Sequence, residues 1–112
     1  MTLAVPVEEL RRSEIAALFE GAGHGGVEIS IFVTTWPPGR GPRLHKHPYA
    51  EVFLIEEGEA AFVIDRERVT VVANHIAVVA ADTPHRFENA GSSPLRLLSI
   101  QPSPKVIQID LE

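Results

Sequence analysis

The spacing of apolar and polar residues along this chain changes once, near residue 27. Before that point Ile15, Leu18 and Phe19 fall on one face of a 3.6-residue repeat, Ser13 stands where an N-cap belongs, Glu14 lies in the first turn and Gly21 suits the stop. The pattern predicts a short helix over 13–20. Glycines at 21, 23, 25 and 26 around His24 then read as a connector. From Val27 the period falls to two. Val27, Ile29, Ile31 and Val33 share one face of a strand that stops at Trp36-Pro37-Pro38-Gly39, where two prolines withhold ladder donors. Further strands are expected over 52–57 and 60–64 on either side of Gly58, then 69–73, 76–80, 85–89, 95–101 and 105–110. Turns at Asp82-Thr83-Pro84, Gly91 and Pro102 separate the later ones. Eight or nine short strands punctuated in this way predict an all-β sandwich or barrel over 27–112, preceded by an N-terminal segment over 1–26.

Composition narrows the function. The 112 residues suffice for one core and carry a formal charge of −5. Ten scattered basic residues do not make the clustered positive footprint that a phosphate backbone requires, so no nucleic-acid partner is expected. The longest apolar run, Ile76 to Ala81, is far below the roughly 20 residues that span a bilayer, so no membrane association is expected. Glu8, Glu9, Arg11 and Arg12 stand where a signal peptide would place its apolar block, which makes the cytoplasm the expected location. With no cysteine, any metal must be held by imidazole and carboxylate.

Such a ligand set is present. His45 and His47 are two apart, which in a strand places both on one face; Glu51 keeps that parity across Pro48, and His85 must come from another strand. By this chain's own composition, His-x-His-x-x-x-Glu arises by chance with a probability of about 0.02. Adding glycines six residues before and seven after brings it to about 0.0001.

With Gly39 and Gly58 in place, GRGPRLHKHPYAEVFLIEEG resembles the first motif of the cupin family: Gly, five residues, His-x-His, three, Glu, six, Gly. The second cupin motif, Gly, five residues, Pro-x-Gly, two, His, three, Asn, falls on Asn74, Ala80, Asp82, His85 and Asn89, of which His85 and Asn89 match. Asn74 and Asp82 replace glycine with residues that tolerate left-handed turns. The resemblance implies a double-stranded β-helix, or jelly-roll barrel, with one divalent metal held by His45, His47, Glu51 and His85. It also implies a homodimer paired through the terminal strand, where Ile107, Ile109 and Leu111 form an apolar face. Three imidazoles and a carboxylate suit Fe, Mn, Ni, Cu or Zn and leave positions open on a six-coordinate ion.

Parity places Phe53 and Ile55 with Glu51, and Phe87 with His85, as inward-facing candidates for a substrate pocket. Glu51 and Tyr49, which lies between two ligands, are the candidate proton carriers. His24 and His75 read as surface histidines, and Trp36 either packs under the ligand-bearing loop or serves a subunit contact. The expected function is that of a metal-dependent enzyme on a small organic molecule, a non-haem dioxygenase-like oxidoreductase ahead of an isomerase or cyclase. The rival is a non-catalytic module that binds a metal or small ligand as a sensor.

Overall fold

In a computed structural model, which describes residues 4–112, the chain forms two facing five-stranded antiparallel sheets and almost no helix. Residues 1–3, the start of the segment expected over 1–26, lie outside the described residues. The strands are β1 (Ala16–Glu20), β2 (Ser30–Trp36), β3 (His45–Lys46), β4 (Glu51–Glu57), β5 (Glu59–Ile64), β6 (Glu67–Val72), β7 (His75–Val79), β8 (His85–Asn89), β9 (Leu95–Gln101) and β10 (Ile109–Asp110). One sheet runs β1-β2-β9-β4-β7 and the other β10-β3-β8-β5-β6. Among the described residues no helix is long and apolar enough to cross a membrane.

Of the helix expected over 13–20, Ala16–Glu20 is a strand; among the described residues the only helical element before it is a four-residue 3-10 turn, Val7–Leu10. Ser13 does cap, but it caps a tight turn: its Oγ accepts from the N–H groups of Ile15 and Ala16. The residues after it gain more by pairing along all five positions of β1 with β2, from Ala16 opposite Thr34 to Glu20 opposite Ser30. Tertiary pairing here overrides a weak local preference for helix. The connector after β1 opens with a 3-10 turn, Gly21–Gly23, which was not expected, and Gly25 and Gly26 take positive φ.

The period-two reading of β2 holds for Ile31 and Val33, whereas Val27 and Ile29 precede the strand. Ile31 and Val33 do share a face, but it is the outer one; Ser30 and Thr34 are buried, and Phe32, Thr34 and Trp36 line the interior. The strands predicted at 85–89 and 95–101 have those bounds, whereas only Ile109–Asp110 of the stretch 105–110 is strand, paired with β3.

The apolar core is built from Phe53 and Ile55 on β4, Ala60 and Phe62 on β5, Phe87 on β8, and Leu95 and Leu97 on β9. Alternation in β9 buries Leu95, Leu97, Ser99 and Gln101 on one face, so its interior turns from apolar to polar along the strand. Antiparallel pairing of β9 with β4, with Phe53 opposite Ser99, brings Glu51 to that polar end. The barrel therefore has one greasy end and one polar end, and the polar end carries the chemistry.

Candidate metal centre

His45, His47, Glu51 and His85 are all buried, and each offers a ligand atom within 4.8 Å of those of the others. They reach that point from both sheets. His45 on β3 is the direct register partner of His85 on β8, while Glu51 opens β4 in the opposite sheet. His47 follows β3 on the loop between. Convergence thus comes from two sheets closing on each other, and strand parity accounts only for the departure of His45 and His47 from one short segment.

Each imidazole is oriented from behind by a main-chain carbonyl. Nδ1 of His45 lies 2.6 Å from the Arg43 oxygen, that of His47 2.8 Å from Ile107, and that of His85 2.8 Å from Thr83. Since a carbonyl only accepts, each Nδ1 carries the proton, and a neutral ring then presents the Nε2 lone pair to the centre. There Nε2 of His85 sits 2.9 Å and that of His47 3.2 Å from the same Glu51 oxygen, Oε1. A lone pair facing a carboxylate oxygen at that range is repulsive unless a proton or a cation lies between them. His47 Nε2 makes no hydrogen bond at all, although it is buried. Buried polar atoms are almost always satisfied, so the arrangement fits a metal ion.

The other carboxylate oxygen is fixed. Glu51 Oε2 accepts from the Ser99 hydroxyl and, at 3.1 Å, from Gln101 Nε2. Burial pushes the Glu51 carboxyl up, but the close His47 and His85 imidazoles and the Ser99 hydroxyl outweigh it and hold the group at about 2. Burial together with the neighbouring His85 and His47 holds the His45 imidazole below its ordinary value, against the pull of the Arg43 carbonyl. Burial also opposes charge on His47, yet Glu51 and the Ile107 carbonyl raise it.

Tyr49 stands behind the centre. Its ring stacks on His47 at 5.3 Å, and its hydroxyl donates to Gln101 Oε1 while accepting from the Ile107 N–H. Burial, with the nearby Glu51 and Glu20 carboxylates, raises its pKa against the pull of the Ile107 bond, so it is a neutral phenol. Phe53 and Phe87 line a cavity of about 210 Å³ that opens beside the ligands; Ile55 lies in the core and off the cavity wall. His24 stacks on Phe19, and His75 is exposed on β7; both are away from the cluster. Trp36 settles on the cavity wall, edge-on to Phe87 at 5.8 Å.

Sequence reasoning missed Ser99, Gln101 and the Ile107 carbonyl. The first two had a signal: in a strand whose alternate residues are Leu95 and Leu97, two polar residues continuing the buried face mark a polar site. The third is main chain and leaves no side-chain signature.

A family profile described as a cupin domain matches residues 32–101, which includes all four candidate ligands. The chain belongs to the cupin family. Its two replaced motif glycines behave as their chemistry suggests, with Asn74 and Asp82 at φ 66° and 58°. The motif glycines that remain are needed: Gly39 and Gly58 have φ 79° and 85°, and a Cβ on Gly58 would lie 2.7 Å from the Pro94 oxygen. Asn89, buried, holds the cavity rim by donating to the Trp36 and Ser93 carbonyls.

Among relatives, this cupin is 34% identical over 74 residues to an uncharacterized protein of Methanocaldococcus jannaschii, covering 65% of this chain and 59% of that one. It is 30% identical over 106 residues to the polyketide synthase CurC of Streptomyces cyaneus, covering 90% of this chain and 66% of the relative. The chain thus spans about three fifths to two thirds of these relatives. Its fold is similar to that of Bacillus subtilis oxalate decarboxylase, with a TM-score of 0.83 at 22% identity over 94% of this chain and 31% of that one. The Lactobacillus farciminis oxalate decarboxylase formate complex gives 0.81 at 21% identity, over 93% and 34%.

Proposed function

We propose that this cupin is a metal-dependent enzyme acting on a small organic molecule, with dioxygenase-type oxidoreductase chemistry ahead of isomerisation or cyclisation. The observation that carries the reading is the set of buried Nε2 atoms aimed, with one carboxylate oxygen, at a point where they cannot satisfy one another. His45, His47, Glu51 and His85 would hold one Fe, Mn, Ni, Cu or Zn ion per chain. Manganese has support from the similarly folded Bacillus subtilis oxalate decarboxylase, a protein with Mn(II) centres. When bound, such an ion supplies Lewis-acid polarisation of a substrate oxygen or a site for O₂. A small organic substrate is supported by the polyketide synthase relative.

The chain's own residues supply the rest. Ser99 and Gln101 tie down Glu51 Oε2, which leaves Oε1 free to ligate or to carry a proton. Tyr49 contributes by holding Gln101 and the Ile107 N–H in place. Phe53 and Phe87 keep water from the cavity next to the ligands. The protein is further proposed to act as a homodimer.

The test is metal content by mass spectrometry on untagged protein, with His47→Ala and His85→Ala beside the wild type. About one ion per wild-type chain, lost in both variants, is the expected result, and substrate screening under O₂ follows from it. Less than about a tenth of an ion per chain after each metal has been added back would overturn the metalloenzyme reading. A metal-loaded chain that binds a small ligand and returns it unchanged would be a binding module instead.

A further inference from the structure

Two parts of the chain lie outside the residues matched by the family profile: the N-terminal stretch with β1, and the stretch after β9. They are bonded to each other next to the candidate metal centre. Glu20 ends β1 and is the register partner of Ser30, which opens β2. From that end of the hairpin three groups reach the stretch after β9. The Ser30 hydroxyl donates to the Ser103 carbonyl at 2.7 Å, the Ala22 N–H donates to the Pro104 carbonyl at 3.0 Å, and Glu20 Oε2 accepts from the Val106 N–H at 2.9 Å.

The last of these bears on the centre most directly. Ile107 follows at once, and its carbonyl receives His47 Nδ1 at 2.8 Å while its N–H donates to the Tyr49 hydroxyl at 3.0 Å. Among the described residues, the main chain of 105–107 is bonded to the rest of the protein through three side chains, those of Glu20, Tyr49 and His47. Its other bonds are local, between Ser103 Oγ and the main chain of Lys105. His47 is a candidate ligand and Tyr49 stacks on it, so neither is an independent reference for where Ile107 sits. Glu20 is one. It stands on a strand paired with β2 at all five positions, and its other oxygen, Oε1, faces Arg12 at 3.5 Å. A carboxylate acceptor makes a stronger bond than a neutral one, and a fixed carbonyl behind a ligating histidine sets both its tautomer and its ring direction.

We propose that Glu20 is a positioning residue for the metal centre: by holding the Val106 N–H it fixes the Ile107 carbonyl, and through that carbonyl His47. This rests on the metal reading above and extends the centre's support to β1, outside the matched domain.

The test compares Glu20→Ala, Glu20→Asp and Glu20→Gln in the full-length chain, each shown to be folded by circular dichroism, with zinc as the probe ion because imidazole and carboxylate bind it readily. Alanine deletes the acceptor, and aspartate keeps the charge but is one methylene too short to reach. Glutamine keeps an acceptor oxygen at the same length. Zinc affinity in chelator competition is expected to fall about threefold to tenfold in Glu20→Ala and Glu20→Asp, less than the loss of about 10–100-fold typical of a direct partner of a metal ligand. Glu20→Gln should stay within about twofold of the wild type. Arg12→Ala, which removes the other partner of Glu20, should bind zinc as the wild type does. Glu20→Asp carries the test by itself should Glu20→Ala fail to fold.

A general loss of stability is told apart by solvent exchange of the three Nδ1 protons, followed by magnetic resonance in zinc-loaded protein isotopically labelled at histidine. In Glu20→Ala and Glu20→Asp exchange should quicken at His47 and stay unchanged at His45 and His85, whose carbonyl partners belong to Arg43 and Thr83. Zinc affinity within about twofold of the wild type in both of those variants would overturn the inference. So would equally faster exchange at all three histidines, or a loss in Glu20→Gln or Arg12→Ala as large as in Glu20→Ala. Failure here is distinct from failure of the metal reading. A wild type that holds zinc and variants that hold it equally well lose this inference and keep that reading. A wild type that holds no zinc loses that reading, and exchange at His47 in the metal-free chain then decides the positioning role.

Discussion

Glu51 is held by two kinds of contact that do different work. One oxygen faces the imidazoles, and the other is tethered by Ser99 and Gln101, while Gln101 is itself positioned by the Tyr49 hydroxyl. Partners behind a metal ligand typically change affinity by about 10–100-fold when removed. Gln101→Leu keeps most of the volume but deletes both donors to the Glu51 side and the acceptor for Tyr49. It is expected to weaken metal binding by about 10–100-fold in chelator competition. Stability should fall by about 1–3 kcal/mol in denaturant titration, because the phenol of Tyr49 loses its acceptor in a half-buried site. Adding Tyr49→Phe to that variant should recover part of the stability and none of the metal affinity, since the phenol never touches the carboxylate. Recovery of both would mean that Tyr49 acts on the centre directly.

At the scale of elements, the C-terminal stretch behaves as a strap. After β9 the chain returns past the mouth, where the Ile107 carbonyl receives His47 Nδ1 and its N–H serves Tyr49. β10 then pairs with β3, and Leu111 donates to the Leu44 carbonyl. Ending the chain after Val106 should lower metal affinity by about 10–100-fold, because His47 loses the group that fixes its tautomer. Ile107→Ala keeps that carbonyl and removes only an exposed side chain, so it should bind metal like the wild type; equal losses in the two would make the strap a packing element. This element also marks how far the sequence could be read. The four ligands, the barrel class and β8 and β9 were legible, because histidine spacing and strict alternation are local patterns. The strap's role was not, since a main-chain carbonyl carries no residue signature. Nor was β1, where Ile15, Leu18 and Phe19 fit a helical face and only pairing with β2 decides the outcome. In β2 the alternation of Ile31 and Val33 was read correctly, but the inner face is the one carrying Ser30 and Thr34, because the outer face of the sheet is itself apolar.

That outer face bears on the whole molecule. Two cross-strand rows run over four strands of one sheet: Val33, Leu98, Leu54 and Ile76 in one, Ile31, Ile100, Val52 and Val78 in the other, each neighbour set by register. All eight are aliphatic, and Ile76 and Val78 are 65% and 62% exposed. Strands spaced about 4.8 Å apart make this a patch about 14 Å across, bordered at one end by the Arg96–Glu56 ion pair. A soluble monomer rarely leaves such a field open, and a second copy covers it without a new surface, because a two-fold axis through the patch pairs each row with its counterpart. The terminal stretch, where sequence alone placed the dimer contact, offers less: β10 is two residues long, and Ile107, Ile109 and Leu111 are a little under half exposed along an irregular path. We therefore expect the 12.2 kDa chain to sediment as a dimer held through the sheet face. A buried, unpaired carboxylate on that face should break it, so Val78→Glu should sediment as a monomer, whereas Ile109→Glu should remain dimeric. The opposite pattern would move the contact to the strap, and with it place the partner copy beside the metal centre.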